Sequence, residues 1–402
     1  MNPGLAHLYP YPFEKLRLLK EGLEPEKDLY PIALSVGEPR HPVPGFIRAA
    51  LIDKLSGLMK YPTTLGILSL REATSLWLEQ RFRLKAGMVD PEAQVLPVSG
   101  TREALFSFAQ ALIDPAKEPL VLMPNPFYQI YEGAALLAGA EPCYLNTLEQ
   151  NGFLPDFDRV PEAVWRRCQL LYICSPGNPT GSVMPIEQLQ RLIGLAERHD
   201  FVIAADECYS EIYRDEDKPP PGLLQAALAM GRDDFRHCVV FHSLSKRSNV
   251  PGLRSGFVAG DARIIRLFAK YRSYHGCTLP LPTQYASIAA WSDELHVIEN
   301  RRIYREKFQA VVNILKEVWP MEAPEAAFYL WPKTPISDTD FARGLFTRQN
   351  ITVLPGRFLS RRAEGFDPGE NRVRIALVPA LDECIEAARR IQHFLSTLYH
   401  ST

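Results

Sequence analysis

The chain has 402 residues, of which 46% are hydrophobic and 23% are charged, with a formal net charge of -2. This length is too great for one small core and predicts two domains that share a crevice. The near-neutral charge, without a basic block, argues against a nucleic-acid-binding protein.

Several features predict a cytoplasmic protein. No stretch approaches the roughly 20 apolar residues that a membrane span requires, and the first residues lack the basic and apolar regions of a secretory signal. The seven cysteines are scattered without a CxxC pair, which is typical of a reducing compartment. The nine histidines show no HExxH or similar spacing, so we expect no metal site.

Apolar runs that resemble strands alternate with helical patterns through the middle of the chain. The runs are residues 120–123, 170–174, 201–205, 239–241 and 256–259. This alternation predicts an α/β fold with a mainly parallel sheet covered by helices on both faces. Beyond it, long helical stretches and short strands predict a smaller α+β domain. We expect an N-terminal arm and part of the small domain at 1–45, the large domain at 46–282 and the small C-terminal domain at 283–402.

Polar residues follow several of these runs. Ser99-Gly100-Thr101 is a turn of small residues that opens a helical pattern, and such a turn presents free backbone N–H groups to an anion. Asn178 follows the run at 170–174, and Asp206 ends the run at 201–205, with Tyr209 three residues later. Parallel sheets bind ligands at the carboxyl ends of their strands, so these residues predict a shared site.

Lys246 carries the strongest chemical signal. Ser243 and Ser245 precede it at the end of an apolar run, and Arg254 follows. Its amine can form a Schiff base with an aldehyde, while the hydroxyls and the guanidinium can bind a phosphate. This segment alone fits a surface lysine in a loop equally well. A buried Asp206 favours the cofactor interpretation, because it would keep the ring nitrogen of an electron sink such as pyridoxal phosphate protonated.

Eight motifs in this order resemble the class I/II aminotransferases, which are fold-type I pyridoxal-phosphate enzymes. They are Tyr61-(x4)-Gly66-(x3)-Leu70-Arg71, Ser99-Gly100-Thr101, Asn125-Pro-Phe-Tyr128, Asn178-Pro-Thr-Gly181, Asp206-Glu-Cys-Tyr209, Ser243-Leu-Ser-Lys246, Gly252-Leu-Arg254 and Arg372-Val-Arg374-Ile. The likeness runs from about Ala33 to the C-terminus. It implies a seven-stranded large-domain sheet, pyridoxal 5'-phosphate as cofactor, and amino acids and 2-oxo acids as substrates.

The resemblance also implies a role for each motif residue. Lys246 would hold the cofactor and move the substrate proton, with Asp206 and Tyr209 completing the catalytic set. Gly37, Asn178 and Arg374 would bind the substrate, and Arg374 would take its α-carboxylate. The implied cofactor-binding residues are Tyr61, Gly100, Thr101, Arg102, Tyr128, Asn178, Asp206, Tyr209, Ser243, Ser245, Lys246 and Arg254.

Some of these positions have alternatives. Tyr128 is expected to stack on the cofactor ring but can be core packing. Tyr61 resembles the tyrosine that reaches the cofactor phosphate of the neighbouring subunit, which implies a homodimer with shared active sites; it can also be an ordinary strand tyrosine. Arg374 can form a structural ion pair with a glutamate. Arg372, two residues away, competes with it for the carboxylate, and Gly37 can be a plain turn.

Four stretches, at residues 9–16, 245–256, 274–278 and 353–359, resemble the proteobacterial succinyldiaminopimelate transaminases as a group. This implies amino transfer from N-succinyl-LL-2,6-diaminopimelate to 2-oxoglutarate in lysine biosynthesis. The far end of that donor carries two further carboxylates, so we expect cationic or amide groups there, with Arg40, His41 and Arg357 as candidates.

A general aromatic or methionine-type aminotransferase and a pyridoxal-phosphate carbon–sulfur lyase are the alternatives. We do not expect a transcription regulator, because the residues ahead of position 33 are too few for a winged helix.

Overall fold

The computed structural model describes residues 3–276 and 278–399, so Cys277, inside one of the stretches quoted above, lies outside them. The helices are α1 (Pro12–Leu19), α2 (Gly45–Asp53), α3 (Leu68–Arg81), α4 (Thr101–Leu112), α5 (Gln129–Leu137), α6 (Glu162–Arg167), α7 (Ile186–His199), α8 (Leu223–Ala229), α9 (Leu244–Arg247), α10 (Ala262–His275), α11 (Leu281–Trp291), α12 (Leu295–Leu315), α13 (Asp338–Gln349) and α14 (Leu381–Tyr399). The strands are β1 (Ile32–Ala33), β2 (Val95–Val98), β3 (Leu120–Asn125), β4 (Glu141–Asn146), β5 (Cys168–Cys174), β6 (Val202–Asp206), β7 (Cys238–Ser243), β8 (Gly256–Gly260), β9 (Tyr329–Leu330), β10 (Ile351–Thr352), β11 (Leu354–Pro355) and β12 (Val373–Ala376).

The largest sheet has seven strands in the order β2-β8-β7-β6-β5-β3-β4. Its strands pair in parallel from β4 across to β7, whereas β8 runs antiparallel to both β7 and β2. The predicted α/β fold with a mainly parallel sheet is therefore confirmed.

Apolar packing covers both faces of this sheet. On β6, Ile203 and Ala205 belong to the core on one face, whereas Ala204 belongs to the core on the other. Residues that alternate along a strand point to opposite faces, so a strand buried on both faces is an unbroken apolar run. The helix α7 packs on the first face through residues spaced three and four apart, and α4 packs on the second.

A second core forms around the smaller sheets. β9, β12 and β11 make a three-stranded antiparallel sheet, and β1 pairs in parallel with β10. The pairing of β1 brings residues from the N-terminal arm into this part of the molecule. The domain boundaries remain a prediction, and the packing of α11 into the first core of the large sheet, through Ala286, Ala290 and Trp291, favours a boundary later than 282.

The parallel register aligns the strand ends that carry polar residues. Cys174 at the end of β5 lies beside Asp206 at the end of β6, which lies beside Phe241 on β7. The segments that follow these strands therefore leave the sheet at one edge, where the small sheets face it.

Among the described residues, no helix is both long and apolar enough to cross a membrane.

Candidate active site

A cavity of about 430 Å³ lies at this edge, between the large sheet and the three-stranded sheet. Most of the site residues predicted from the sequence line it, namely Gly37, Thr101, Arg102, Tyr128, Asn178, Asp206, Tyr209, Ser243, Ser245, Lys246, Arg254 and Arg374. Gly100 adjoins it, beside Arg254. Tyr61 is fully exposed and does not line the cavity of its own chain.

Lys246 lies on α9, a helix of four residues that directly follows β7. The hydroxyl of Ser243 accepts a hydrogen bond of 3.1 Å from the Ser245 N–H and so caps this helix. The Lys246 amine donates to the Gly37 carbonyl oxygen. Burial lowers the pKa of Lys246 to about 8. At pH 7 roughly a tenth of this amine is therefore uncharged, far more than for an ordinary lysine, and the uncharged form is the one that acts as a nucleophile or a base.

Asp206 is a buried carboxylate, with 5% of its surface exposed. It accepts hydrogen bonds from the Tyr131 hydroxyl at 2.6 Å and from the Cys208 N–H at 3.3 Å. Burial raises its pKa, and within the described chain no cationic side chain forms an ion pair with it. A buried carboxylate is costly without a positive partner, so this wall of the cavity suits a protonated ring nitrogen.

Another part of the cavity suits an anion. α4 begins at Thr101 with Gly100 as its N-cap at a φ of 84°, and a Cβ on Gly100 would collide with the Arg254 guanidinium. Glycine therefore allows Arg254 to lie against the start of this helix. Free N–H groups of a first helical turn, a guanidinium and the hydroxyls of Thr101 and Ser245 together match a phosphate.

Arg374 extends from β12 into the cavity. Its guanidinium donates to Asn178 Oδ1 at 3.0 Å and to the Ser35 carbonyl at 2.7 Å. The alternative structural ion pair is not observed, since no carboxylate pairs with Arg374 anywhere in the described ranges. Arg372 instead pairs with Glu149 at 2.7 Å, outside the cavity. Arg374 is thus the arginine that is available to a substrate carboxylate.

Two tyrosines in the site were missed by the sequence analysis. Tyr131 binds Asp206, and the hydroxyl of Tyr329 lies 2.8 Å from that of Tyr209. The guanidinium of Arg374 lies 4.6 Å from the centre of the Tyr329 ring. A Cβ on Gly37 would collide with the Tyr329 hydroxyl. Both tyrosines occur in apolar segments, and the only available signal was that a buried tyrosine hydroxyl needs a partner.

The structure places the three candidates for the far end of the substrate outside the cavity of their own chain. Arg40 pairs with Glu383 at 3.6 Å, and Arg357 pairs with the buried Asp338 at 2.7 Å. His41 hydrogen-bonds to Asn300 and Lys307. None of the three lines the cavity. Each is bound to a residue that only the folded chain brings near.

The sequence of this chain matches a known protein family. A family model described as "Aminotransferase class I and II" matches residues 31–391. The chain belongs to this family. Enzymes of the family use pyridoxal 5'-phosphate, which confirms the predicted cofactor, and they act on amino acids and 2-oxo acids.

Three relatives of this aminotransferase are informative. An LL-diaminopimelate aminotransferase from Nitratidesulfovibrio vulgaris is 32% identical over 96% of this chain and 97% of its own. A solved aminotransferase from Neisseria meningitidis is 47% identical, with a TM-score of 0.94, over 99% of this chain and 100% of its own. A Thermus thermophilus protein described as "probable N-succinyldiaminopimelate aminotransferase" is 29% identical, with a TM-score of 0.83, over 95% of this chain and 100% of its own.

The residues of the cavity fit the cofactor. When bound, pyridoxal phosphate supplies an electron sink for the charge that develops at the substrate Cα. Asp206 can hold a proton on the ring nitrogen, and the Arg254 end can hold the phosphate. Arg374 can orient the substrate carboxylate, and the Lys246 amine can take the Cα proton.

Within the described ranges, no group of three or more His, Cys, Asp or Glu residues could hold a metal ion.

Proposed function

We propose that this aminotransferase takes an amino group from N-succinyl-LL-2,6-diaminopimelate and gives it to 2-oxoglutarate, as a step of lysine biosynthesis. Lys246 is the residue that bonds to the cofactor and carries the proton. Asp206, Tyr209 and Asn178 control the cofactor ring, and Arg374 binds the α-carboxylate of either substrate.

The observation that carries this proposal is a second available guanidinium in the cavity. Arg102 is the second residue of α4, and its guanidinium lies 5.2 Å from the centre of the Tyr11 ring. Both residues line the cavity, and no carboxylate of the described chain pairs with Arg102. Arg374 and Arg102 are separate residues of one cavity, so a substrate with a carboxylate at each end can use both.

This arrangement favours acidic substrates over aromatic ones. An aromatic or methionine-type aminotransferase needs an apolar outer pocket, which would leave Arg102 without a partner in the complex. The relatives support the same direction, since two of them carry diaminopimelate in their names.

Unacylated LL-diaminopimelate is the second candidate donor. The first relative above is named for it, and one residue of the cavity suits it. Glu38 is an exposed carboxylate that lines the cavity. It can pair with the distal ammonium of LL-diaminopimelate, which succinylation would remove.

The test is a comparison of kcat/KM for N-succinyl-LL-diaminopimelate, LL-diaminopimelate, tyrosine and methionine, each with 2-oxoglutarate as acceptor. We expect the succinylated donor to be best by at least about tenfold, or about 1.4 kcal/mol. A tenfold preference for LL-diaminopimelate would select the second candidate. Preference for tyrosine or methionine would reject both, and release of pyruvate and ammonia from cystathionine would indicate a lyase.

We also propose a homodimer with shared sites. Leu58, Met59 and Tyr61 expose large apolar side chains close together in sequence, and Tyr61 is fully exposed. A second copy of the chain would cover such a surface. In that dimer Tyr61 would reach the cavity of the partner subunit.

A further inference from the structure

Three buried polar side chains lie on one face of α12, outside the cavity. Asn300, Tyr304 and Lys307 are 2%, 2% and 1% exposed, and their spacing of four and three residues places them on the same helix face. Lys307 has no carboxylate partner within the described ranges. Its amine instead contacts Nε2 of His41 at 2.6 Å and donates to the Val378 carbonyl at 3.2 Å.

The hydrogen bonds of Asn300 fix the direction of this network. Its Nδ2 lies 3.3 Å from the carbonyl oxygen of Lys246 and 3.4 Å from that of Arg247, and an atom between two carbonyl oxygens must be the donor. Asn300 Oδ1 is then an acceptor, and it receives Nδ2 of Asn249 at 3.0 Å and Nδ1 of His41 at 2.7 Å. His41 therefore carries its proton on Nδ1, and its Nε2 accepts from Lys307.

The same network contacts the backbone of Lys246 and also the segment that binds the Lys246 amine. Asn300 holds the backbone carbonyls of Lys246 and Arg247, which end α9 and lack partners inside so short a helix. His41 follows the segment that begins at Gly37, whose carbonyl accepts from the Lys246 amine. One chain of hydrogen bonds thus links the lysine's backbone to the loop that holds its amine.

We propose that Lys307, His41 and Asn300 form a positioning relay for Lys246. Asn300 holds the backbone of Lys246, and His41 holds the segment of residues 37–41, whose Gly37 carbonyl binds the Lys246 amine. None of the three lines the cavity, so they act through Lys246 and not on the substrate. This inference rests on the proposed role of Lys246 but not on the identity of the amino donor.

The charges around the relay agree with the direction of its hydrogen bonds. Burial and the neighbouring Lys307 lower the pKa of His41 to about 4, against smaller opposing effects of Asn300 and Glu299, so the ring is neutral. Burial lowers the pKa of Lys307 to about 8, with Cys384 and Glu383 opposing. Lys307 donates a hydrogen bond in either protonation state.

A direct test is the tautomer of His41, read by nitrogen NMR on histidine-labelled enzyme and assigned with His41→Phe. We expect a neutral ring protonated on Nδ1 at neutral pH. In Lys307→Met the Nε2 resonance should shift, because that nitrogen loses its donor, whereas Lys316→Met, at the exposed residue that follows the same helix, should leave it unchanged. A ring protonated on Nε2, or on both nitrogens, would overturn the relay whatever Lys246 does.

The functional test combines Lys307→Met with His41→Phe. Each should lower kcat by about 10- to 100-fold through misplacement of Lys246, change KM less, and shift the pH midpoint of the cofactor's visible absorbance. Because the residues act as a unit, the double variant should lose no more than either single variant. His41→Gln, which keeps a donor and an acceptor, should recover part of the loss.

A control must show that each variant folds and binds the cofactor, and thermal unfolding and cofactor content measure this. If Lys307→Met does not fold, the kinetic test uses His41→Phe alone. Folded, cofactor-loaded variants with unchanged kcat and midpoint would refute the relay. If Lys246→Ala keeps turnover, the role of Lys246 fails instead, and the tautomer result still reports on the network.

Discussion

The hydroxyls of Tyr209 and Tyr329 lie 2.8 Å apart and join the two halves of the site. Tyr209 follows β6 of the large sheet, and Tyr329 belongs to β9 of the small one. The ring of Tyr329 also supports the Arg374 guanidinium. Tyr329 therefore positions both Tyr209, a predicted cofactor-binding residue, and Arg374, a predicted substrate-binding residue.

Tyr329→Phe separates these two contacts. The phenyl ring keeps the support of Arg374, but Tyr209 loses a hydrogen bond worth about 1 kcal/mol. We expect kcat to fall about fivefold and the KM of the 2-oxo acid to stay nearly constant. Tyr304→Phe is the matched control, because the Tyr304 hydroxyl has no hydrogen-bond partner among the described residues. Equal effects of the two changes would contradict the role of Tyr329.

The central residues of the site could be predicted because their signal is local. Asp206 and Lys246 stand at or just after the ends of apolar runs, and parallel strands bring such ends to one edge. Strand alternation could not separate Arg374 from Arg372, because it places both on one face, and only the family resemblance favoured Arg374. The structure separates them, since Arg372 precedes β12 and turns to Glu149.

The sequence could not show that the candidates for the far end of the pocket lie outside the cavity. The partners of His41 lie more than 250 residues away in sequence, and those of Arg40 lie further still. A motif cannot show that a cationic residue is already paired by such a distant group. Tyr131 and Tyr329 were missed because a tyrosine in an apolar run looks like ordinary core packing.

The cofactor should be attached to Lys246. Borohydride reduction followed by peptide mapping should place the label there, and Lys246→Ala should bind cofactor without a covalent bond and lose nearly all turnover. Lys307 is the internal control, because it is also buried with a lowered pKa but lies outside the cavity. A label on Lys307 or elsewhere would refute the assignment.

The attachment should also depend on pH in a definite direction. The reacting form is the neutral amine, and burial lowers the pKa of Lys246 to about 8 from its usual 10.5. The rate at which cofactor attaches to cofactor-free enzyme should therefore rise with pH up to about 8 and then level off. A rate that keeps rising towards pH 10 would show an ordinary lysine.

Arg374 and Arg372 should differ sharply when each is changed to lysine. Arg374→Lys replaces a guanidinium that can bind a carboxylate through two parallel hydrogen bonds, so kcat/KM for every donor and acceptor should fall about 100-fold. Arg372→Lys changes a residue that pairs with Glu149 outside the cavity, and its effect should stay within about threefold. The opposite order would restore Arg372 as the carboxylate residue.

Shared active sites can be tested by subunit exchange. Tyr61→Phe and Lys246→Ala proteins, each impaired alone, should recover activity when mixed, because a mixed dimer then has one site with neither lesion. Size determination by light scattering should give a dimer. A fully active monomer, or a mixture that gains nothing, would show that Tyr61 serves no neighbouring site.

Arg102 should determine the preference for acidic substrates. The measurement is the rate at which L-glutamate or L-norvaline changes the cofactor absorbance, since these donors differ mainly in the distal carboxylate. Arg102→Leu should lower the rate constant for glutamate about 10- to 100-fold, as expected for one charged hydrogen-bonded pair, and leave that for norvaline nearly unchanged. Arg40→Leu is the control, because Arg40 lies outside the cavity and pairs with Glu383.

Cofactor affinity should not change in Arg102→Leu, because the start of α4 can still offer its backbone N–H groups to the phosphate. An equal loss with both donors, together with weaker cofactor binding, would assign the Arg102 side chain to the phosphate and reject it as the distal carboxylate residue.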